Sequence, residues 1–306
     1  MSFLSRLLEF LRIANTPQSA TPAAFNESLN LSKIDKLESH TSSGSGLTEI
    51  SQVKTNAPIS RSGLTQDYSY TPVIFDETPD QAIDFAYKVN WFAIASNDSS
   101  LVIEALQAKS YQVANWESGL GVAIPSLDKR DKRNWIFVSP PLEGWVLVVG
   151  TGLPYPVMHT EDRHDGIGQQ FDKLAQRLAQ KFDDVQFFGS YRVVGFIAWA
   201  RFLKGEMVRV FSFGEGLYAN LGKQTPEEVL LKLPCLDGLN LSEAEDKIFT
   251  FIGEDEDEDS PENGVFLDET GVIEMAELWS INPLNNSFTE GQPATGFVFQ
   301  LDQLHL

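Results

Sequence analysis

The most continuous apolar stretch of the chain is residues 185–213, dominated by aromatic and β-branched side chains. Lys204-Gly205-Glu206 is its clearest turn signal. The pattern predicts two or three antiparallel strands, folded at Gly205 and near Gly189 or Gly195. Strands this apolar do not stand alone in water, so they form the floor on which the rest of a domain packs. Immediately before them, Ile167, Phe171, Leu174, Leu178 and Phe182 recur at three- and four-residue spacing. Lys173, Gln176, Arg177 and Gln180 fall opposite, which predicts an amphipathic helix over 167–182.

The same reading along the folded body, from about Pro72, gives a buried strand at 89–95. A helix follows over 101–109, entered through Asn97-Asp98-Ser99-Ser100 as its cap region. Residues 111–116 and 120–124 read as strands around a turn at Ser118-Gly119. Further strands are predicted at 135–138 and 145–149, and a last one at 297–301. Thr225-Pro226-Glu227-Glu228 carries an N-cap, a proline at the first helical position and two acids in the first turn, which starts a short helix. A segment over 241–251 and a helix over 270–278 complete the set. Short strands with local turns imply an α+β fold, a mainly antiparallel sheet with helices packed on one side. The body runs over 72–306, either as one unit or as sub-domains 72–150 and 151–306.

The first 71 residues have a different composition. Phe3, Leu4, Leu7, Leu8 and Leu11 give residues 1–14 a short amphipathic helix, which needs a surface to lie on. That surface is the protein's own body, a partner's groove or a membrane interface. Residues 15–71, rich in Ser, Thr, Asn, Gln, Gly and Pro, read as a disordered linker.

Charge sharpens this division. The chain carries a formal net charge of -20; residues 1–71 are neutral, with six basic and six acidic groups, whereas residues 72–306 hold 17 basic and 37 acidic ones. Such a field repels nucleic acid and attracts basic partners. The single cysteine, Cys235, excludes an intramolecular disulfide and suits a reducing cytoplasm. No apolar run reaches the roughly 18 residues of a membrane-spanning helix, and Arg6, Glu9 and Arg12 interrupt any signal-peptide core.

Candidate chemistry is sparse. His159, His164 and Asp165, with Glu161 and Asp162 between them, are the densest set of possible metal ligands. The five-residue histidine spacing does not suit one helical face, and the acids equally suit the first turn of the helix that follows. Cys235 lies in apolar surroundings unsuited to a thiolate nucleophile, and no phosphate-cradling loop leads into a helix N-terminus. Glu254, Asp255, Glu256, Asp257, Glu258 and Asp259 form an unbroken acidic run, solvated or facing a basic partner. Trp116 and Trp279, at the ends of elements, are candidate surface anchors. No cofactor is implied.

Asn115-Trp-Glu-Ser-Gly119, Gly144-Trp-Val-Leu-Val-Val-Gly150, the strand around Trp199-Ala-Arg201 and residues 185–191 before it resemble phrases of uncharacterised bacterial proteins. The resemblance covers about residues 90–215. Immunity proteins of contact-dependent toxin systems share the profile of acidity and α+β content without a catalytic motif. The resemblance assigns no functional residue. It implies a non-enzymatic acidic protein that neutralises a basic toxin by direct contact. The alternatives are a metal-dependent hydrolase using 159–165 and an adaptor docking through its N-terminal helix.

Overall fold

The computed structural model describes residues 74–124, 134–158, 166–254, 267–284 and 292–306, with residues 252–254 by backbone alone. The N-terminal helix with its linker, the His159–His164–Asp165 cluster and the acids 255–259 lie outside the described residues.

The strands are β1 (Asn90–Ala95), β2 (Gln112–Asn115), β3 (Trp135–Val138), β4 (Trp145–Gly150), β5 (Asp184–Tyr191), β6 (Phe196–Leu203), β7 (Glu206–Phe213), β8 (Leu217–Gly222) and β9 (Thr295–Gln300). They form one sheet in the order β2-β9-β3-β4-β1-β5-β6-β7-β8, every neighbouring pair antiparallel. The sheet is continuous across residue 150: β1 lies between β4 and β5, and β9 is inserted between β2 and β3. The helices are α1 (Ser99–Leu106), α2 (Trp116–Ala123), α3 (Ile167–Ala179), α4 (Pro226–Leu230), α5 (Leu241–Glu254) and α6 (Glu269–Trp279). Together they make the α+β fold that the pattern predicts. No helix among the described residues is long and apolar enough to cross a membrane.

The helices cover both faces of the sheet, not one. Trp91 and Ala93 of β1 join Phe188, Trp199 and Phe211 beneath α2, α5 and α6. Phe92 and Ile94, pointing the other way, join Phe187, Ala198 and Phe202 beneath α1 and α3. Successive strand side chains point to opposite faces, so a strand buried on both sides has no polar alternate. The run Trp91-Phe92-Ala93-Ile94 is that signature.

Local chemistry fixes the helix starts. The Asp98 carboxylate accepts from the backbone N–H of Ser100 at 2.8 Å and caps α1. Thr225 caps α4 in a reciprocal box with Glu228, as the sequence predicts. Residues 116–123 form the helix α2 where a strand and turn are expected. Asn115 Oδ1 accepts from Ser118 N at 3.0 Å, and the Asp80 carboxylate accepts from Trp116 N at 2.7 Å and Glu117 N at 2.9 Å. Three of the first N–H groups of α2 are thereby satisfied, two of them from 36 and 37 residues away in sequence. Gly119 lets α2 approach the sheet closely, because a Cβ there would run into the Phe137 ring. β8 is a strand that the sequence reading leaves unassigned, its alternation masked by Gly214 and Gly216 just before it.

A buried polar knot ties α4 to the sheet. Arg209 of β7 donates through Nε to both Glu228 carboxylate oxygens at 2.7 and 2.9 Å, and through Nη1 to Asn220 Oδ1 at 2.7 Å and the Leu221 carbonyl at 3.1 Å. Glu228 also accepts from the indole Nε1 of Trp199 at 2.7 Å and from Thr225 N at 2.8 Å. Both charged side chains are essentially sealed from solvent.

Candidate functional site

Two features adjoin at one end of the sheet: the turn joining β5 to β6 and a cavity beside it. Tyr191 ends β5, Arg192–Val194 make one 3-10 turn, and Gly195 (φ +61°) returns the chain into β6. Tyr191, Val193 and Val194 are 42%, 70% and 46% exposed, an apolar cluster at the tip of an otherwise buried hairpin. The turn is anchored from the other side by α6: Arg192 N donates to Glu269 Oε1 at 3.2 Å, and Glu269 is buried.

The cavity has a volume of about 340 Å³ and is lined by residues from the start of β1, the loop after β4, the hairpin, and the turn leading into β8. Three rings build its apolar part. Tyr155 tilts against Phe196 with centroids 4.6 Å apart, and Tyr218 stacks on Phe196 at 6.4 Å. Tyr155 is delivered by the loop after β4, which the buried Asn90 holds through a 2.8 Å hydrogen bond from Nδ2 to the Leu153 carbonyl. Tyr218 is held by its hydroxyl, which accepts from the Glu215 backbone N–H at 3.1 Å. A second short bond, Gly214 N to Gly216 O at 2.8 Å, folds the turn tightly. Gly214 permits it, since a Cβ there would meet the Tyr218 ring at 2.8 Å. Burial pushes the Tyr155 hydroxyl above the ordinary phenol value, and the neighbouring Tyr218 adds to the shift. Tyr155 therefore stays neutral and able to donate. The lining also holds Lys88 and the exposed Glu215. Among the described residues the lining holds no histidine and no cysteine.

Asn90→Ala is expected to cost about 1–2 kcal/mol, because the Leu153 carbonyl loses its buried donor. Urea unfolding measures the loss. Increased backbone exchange over 151–156 would show that this hydrogen bond holds the Tyr155 loop.

The structure separates the predicted site residues. Trp116 and Trp279 are core side chains, 2% and 5% exposed, and not surface anchors. Trp116 packs edge-on against Phe137 with centroids 5.4 Å apart. Trp279 lies 5.9 Å from Phe188, with the Arg201 guanidinium 5.5 Å over its ring. Both residues belong to the core cluster formed where α2 and α6 pack on the sheet, so these ends of elements face inward. Glu254 closes α5. Among the described residues no group of three or more His, Cys, Asp or Glu is placed to hold a metal ion.

The residues that do converge were not singled out in the sequence. Tyr155 stands between two prolines in a turn, and Tyr218 follows a glycine pair; neither carries a motif. The hairpin tip has one available signal, Tyr191-Arg192 followed by two valines and a glycine, which is a turn with apolar side chains on it.

No family model, no curated protein and no solved structure matches this chain.

Proposed function

We propose that this is a non-catalytic binding protein that holds a basic protein partner, and that the partner docks on the β5–β6 hairpin tip. The observation that carries the reading is the exposed Tyr191, Val193 and Val194 cluster on a rigid hairpin beside a cavity. Contiguous exposed apolar groups on a rigid element mark interaction sites. The net charge of -20 supports the sign of the partner: complementary fields raise the rate of encounter and suppress wrong partners. A toxin held by its immunity protein is the instance we favour, in a bacterial cytoplasm. Cys235, exposed and without a second cysteine, suits that reducing compartment.

The test is affinity capture with the tagged full-length chain from its own cell at low salt, with bound proteins identified by mass. The expected result is a basic protein retained by the wild type, released as salt rises, and lost by Val193→Asp with Val194→Asp. Capture of no basic protein, or capture indifferent to the hairpin variant, would overturn the reading.

A further inference from the structure

The cavity beside the hairpin has its own chemistry. At about 340 Å³ it lies near the bottom of the range for small-ligand sites, about 300–1,000 Å³. It therefore suits one side chain or one small molecule, not a length of chain. Its lining is rich in aromatic rings: Phe196 packs against both Tyr155 and Tyr218, and Tyr191 lines the same cavity from the hairpin. Aromatic faces carry negative quadrupole potential and attract a cation, arginine more often than lysine. Glu215 lines the cavity with an exposed carboxylate that makes no ion pair or hydrogen bond among the described residues. Its backbone N–H donates to the Tyr218 hydroxyl at 3.1 Å, which places residue 215 beside that ring. Lys88 lines the cavity too and opposes a cation.

We propose that this cavity receives a single arginine side chain of the basic partner, its guanidinium against the aromatic walls and paired with Glu215. The proposal rests on the function stated above and names the group that is recognised. The apolar hairpin tip then covers the arginine stem and its neighbours, while Lys88 limits the cavity to one positive charge. An anionic ligand would use Lys88 and be opposed by Glu215. A zwitterion would use both. The three occupants thus respond differently to the same two substitutions.

The experiment is an NMR titration of the full-length chain with N-acetyl-arginine methylamide and, separately, with its neutral isostere N-acetyl-citrulline methylamide. The arginine compound is expected to shift signals of Glu215, Tyr218 and Phe196 and to bind several-fold more tightly than the citrulline compound. Glu215→Gln should weaken arginine binding, and Lys88→Gln strengthen it, each by about two- to fivefold. Tyr218→Leu should abolish it. Equal binding of the two compounds, no shift with either, or weakened binding in Lys88→Gln overturns the proposal. Glu215 and Lys88 are replaced at the cavity wall without touching the core, so they report even where Tyr218→Leu fails to fold. Arginine failing to bind while the hairpin still captures a basic protein removes only the cavity assignment. Arginine binding without capture removes only the protein-partner reading.

Discussion

Glu228→Gln is expected to destabilise the fold by about 3–5 kcal/mol, because it leaves the Arg209 guanidinium buried without its counter-charge. The carboxylate accepts four hydrogen bonds from three donors: Arg209 Nε on both oxygens, Trp199 Nε1 and Thr225 N. An amide supplies only one acceptor oxygen, and its NH2 group would turn a donor toward other donors. The loss spreads through β7, whose Arg209 also holds Asn220 and the Leu221 carbonyl of β8. Replacing both partners by apolar residues, Glu228→Leu with Arg209→Met, should cost less than Glu228→Gln alone, since no unpaired charge remains. Urea unfolding of the three proteins measures this. A Glu228→Gln variant within 1 kcal/mol of wild type would mean that water or a rearranged Arg209 meets the charge (a full-size loss is expected only for a sealed site).

Asp172→Asn is expected to do the opposite and stabilise the protein above neutral pH. Asp172 follows the core residue Phe171 on α3, and burial raises its carboxyl pKa to about 6 from the ordinary 3.8. It makes no hydrogen bond or ion pair among the described residues, and one turn along the helix the Gln176 amide nitrogen is also buried without a partner. A carboxyl whose folded pKa lies above its unfolded value keeps its proton longer in the fold than out of it. Its cost is absent below the unfolded value, grows as pH rises from about 4 to about 6, and is constant beyond. A shift of this size corresponds to a penalty on the order of 2–3 kcal/mol at neutral pH. The asparagine variant removes the penalty, so its advantage over wild type should be small near pH 4 and largest above pH 7. Comparing the two proteins cancels the self-repulsion of the other acids, which titrate alike in both. An advantage independent of pH would show that the carboxyl is hydrated in the fold.

These two sites also show what the sequence reveals and what it hides. Thr225-Pro226-Glu227-Glu228 is a local pattern, and it announces the start of α4 correctly. Glu228's other partners, Arg209 and Trp199, are 19 and 29 residues away; they meet it only through the register of β6 on β7. The amphipathic period of α3 and the runs of β1, β3, β4 and β5–β7 were likewise legible, because periodicity is local. α2 was not, because part of its cap comes from Asp80, and a pattern reader sees only Asn115 and Ser118. The two-sided sheet was legible in principle from Trp91-Phe92-Ala93-Ile94. β8 carried a weaker signal, Leu217, Ala219 and Leu221 alternating with Tyr218 and Asn220, masked by Gly214 and Gly216. The cavity was not legible at all. Tyr155, Phe196 and Tyr218 are brought together by a loop, a strand and an edge strand, and their types are ordinary core types until the geometry turns them toward one space.

Hydrogen exchange of the full-length chain, with and without the captured protein, reads whether a basic partner sits at the hairpin tip. Binding is expected to slow exchange at residues 190–197 and 214–218 and to leave β2, the edge strand at the opposite side of the sheet, unchanged. Protection centred on β2, with 190–197 exchanging as in the free protein, would contradict a partner held at the hairpin tip.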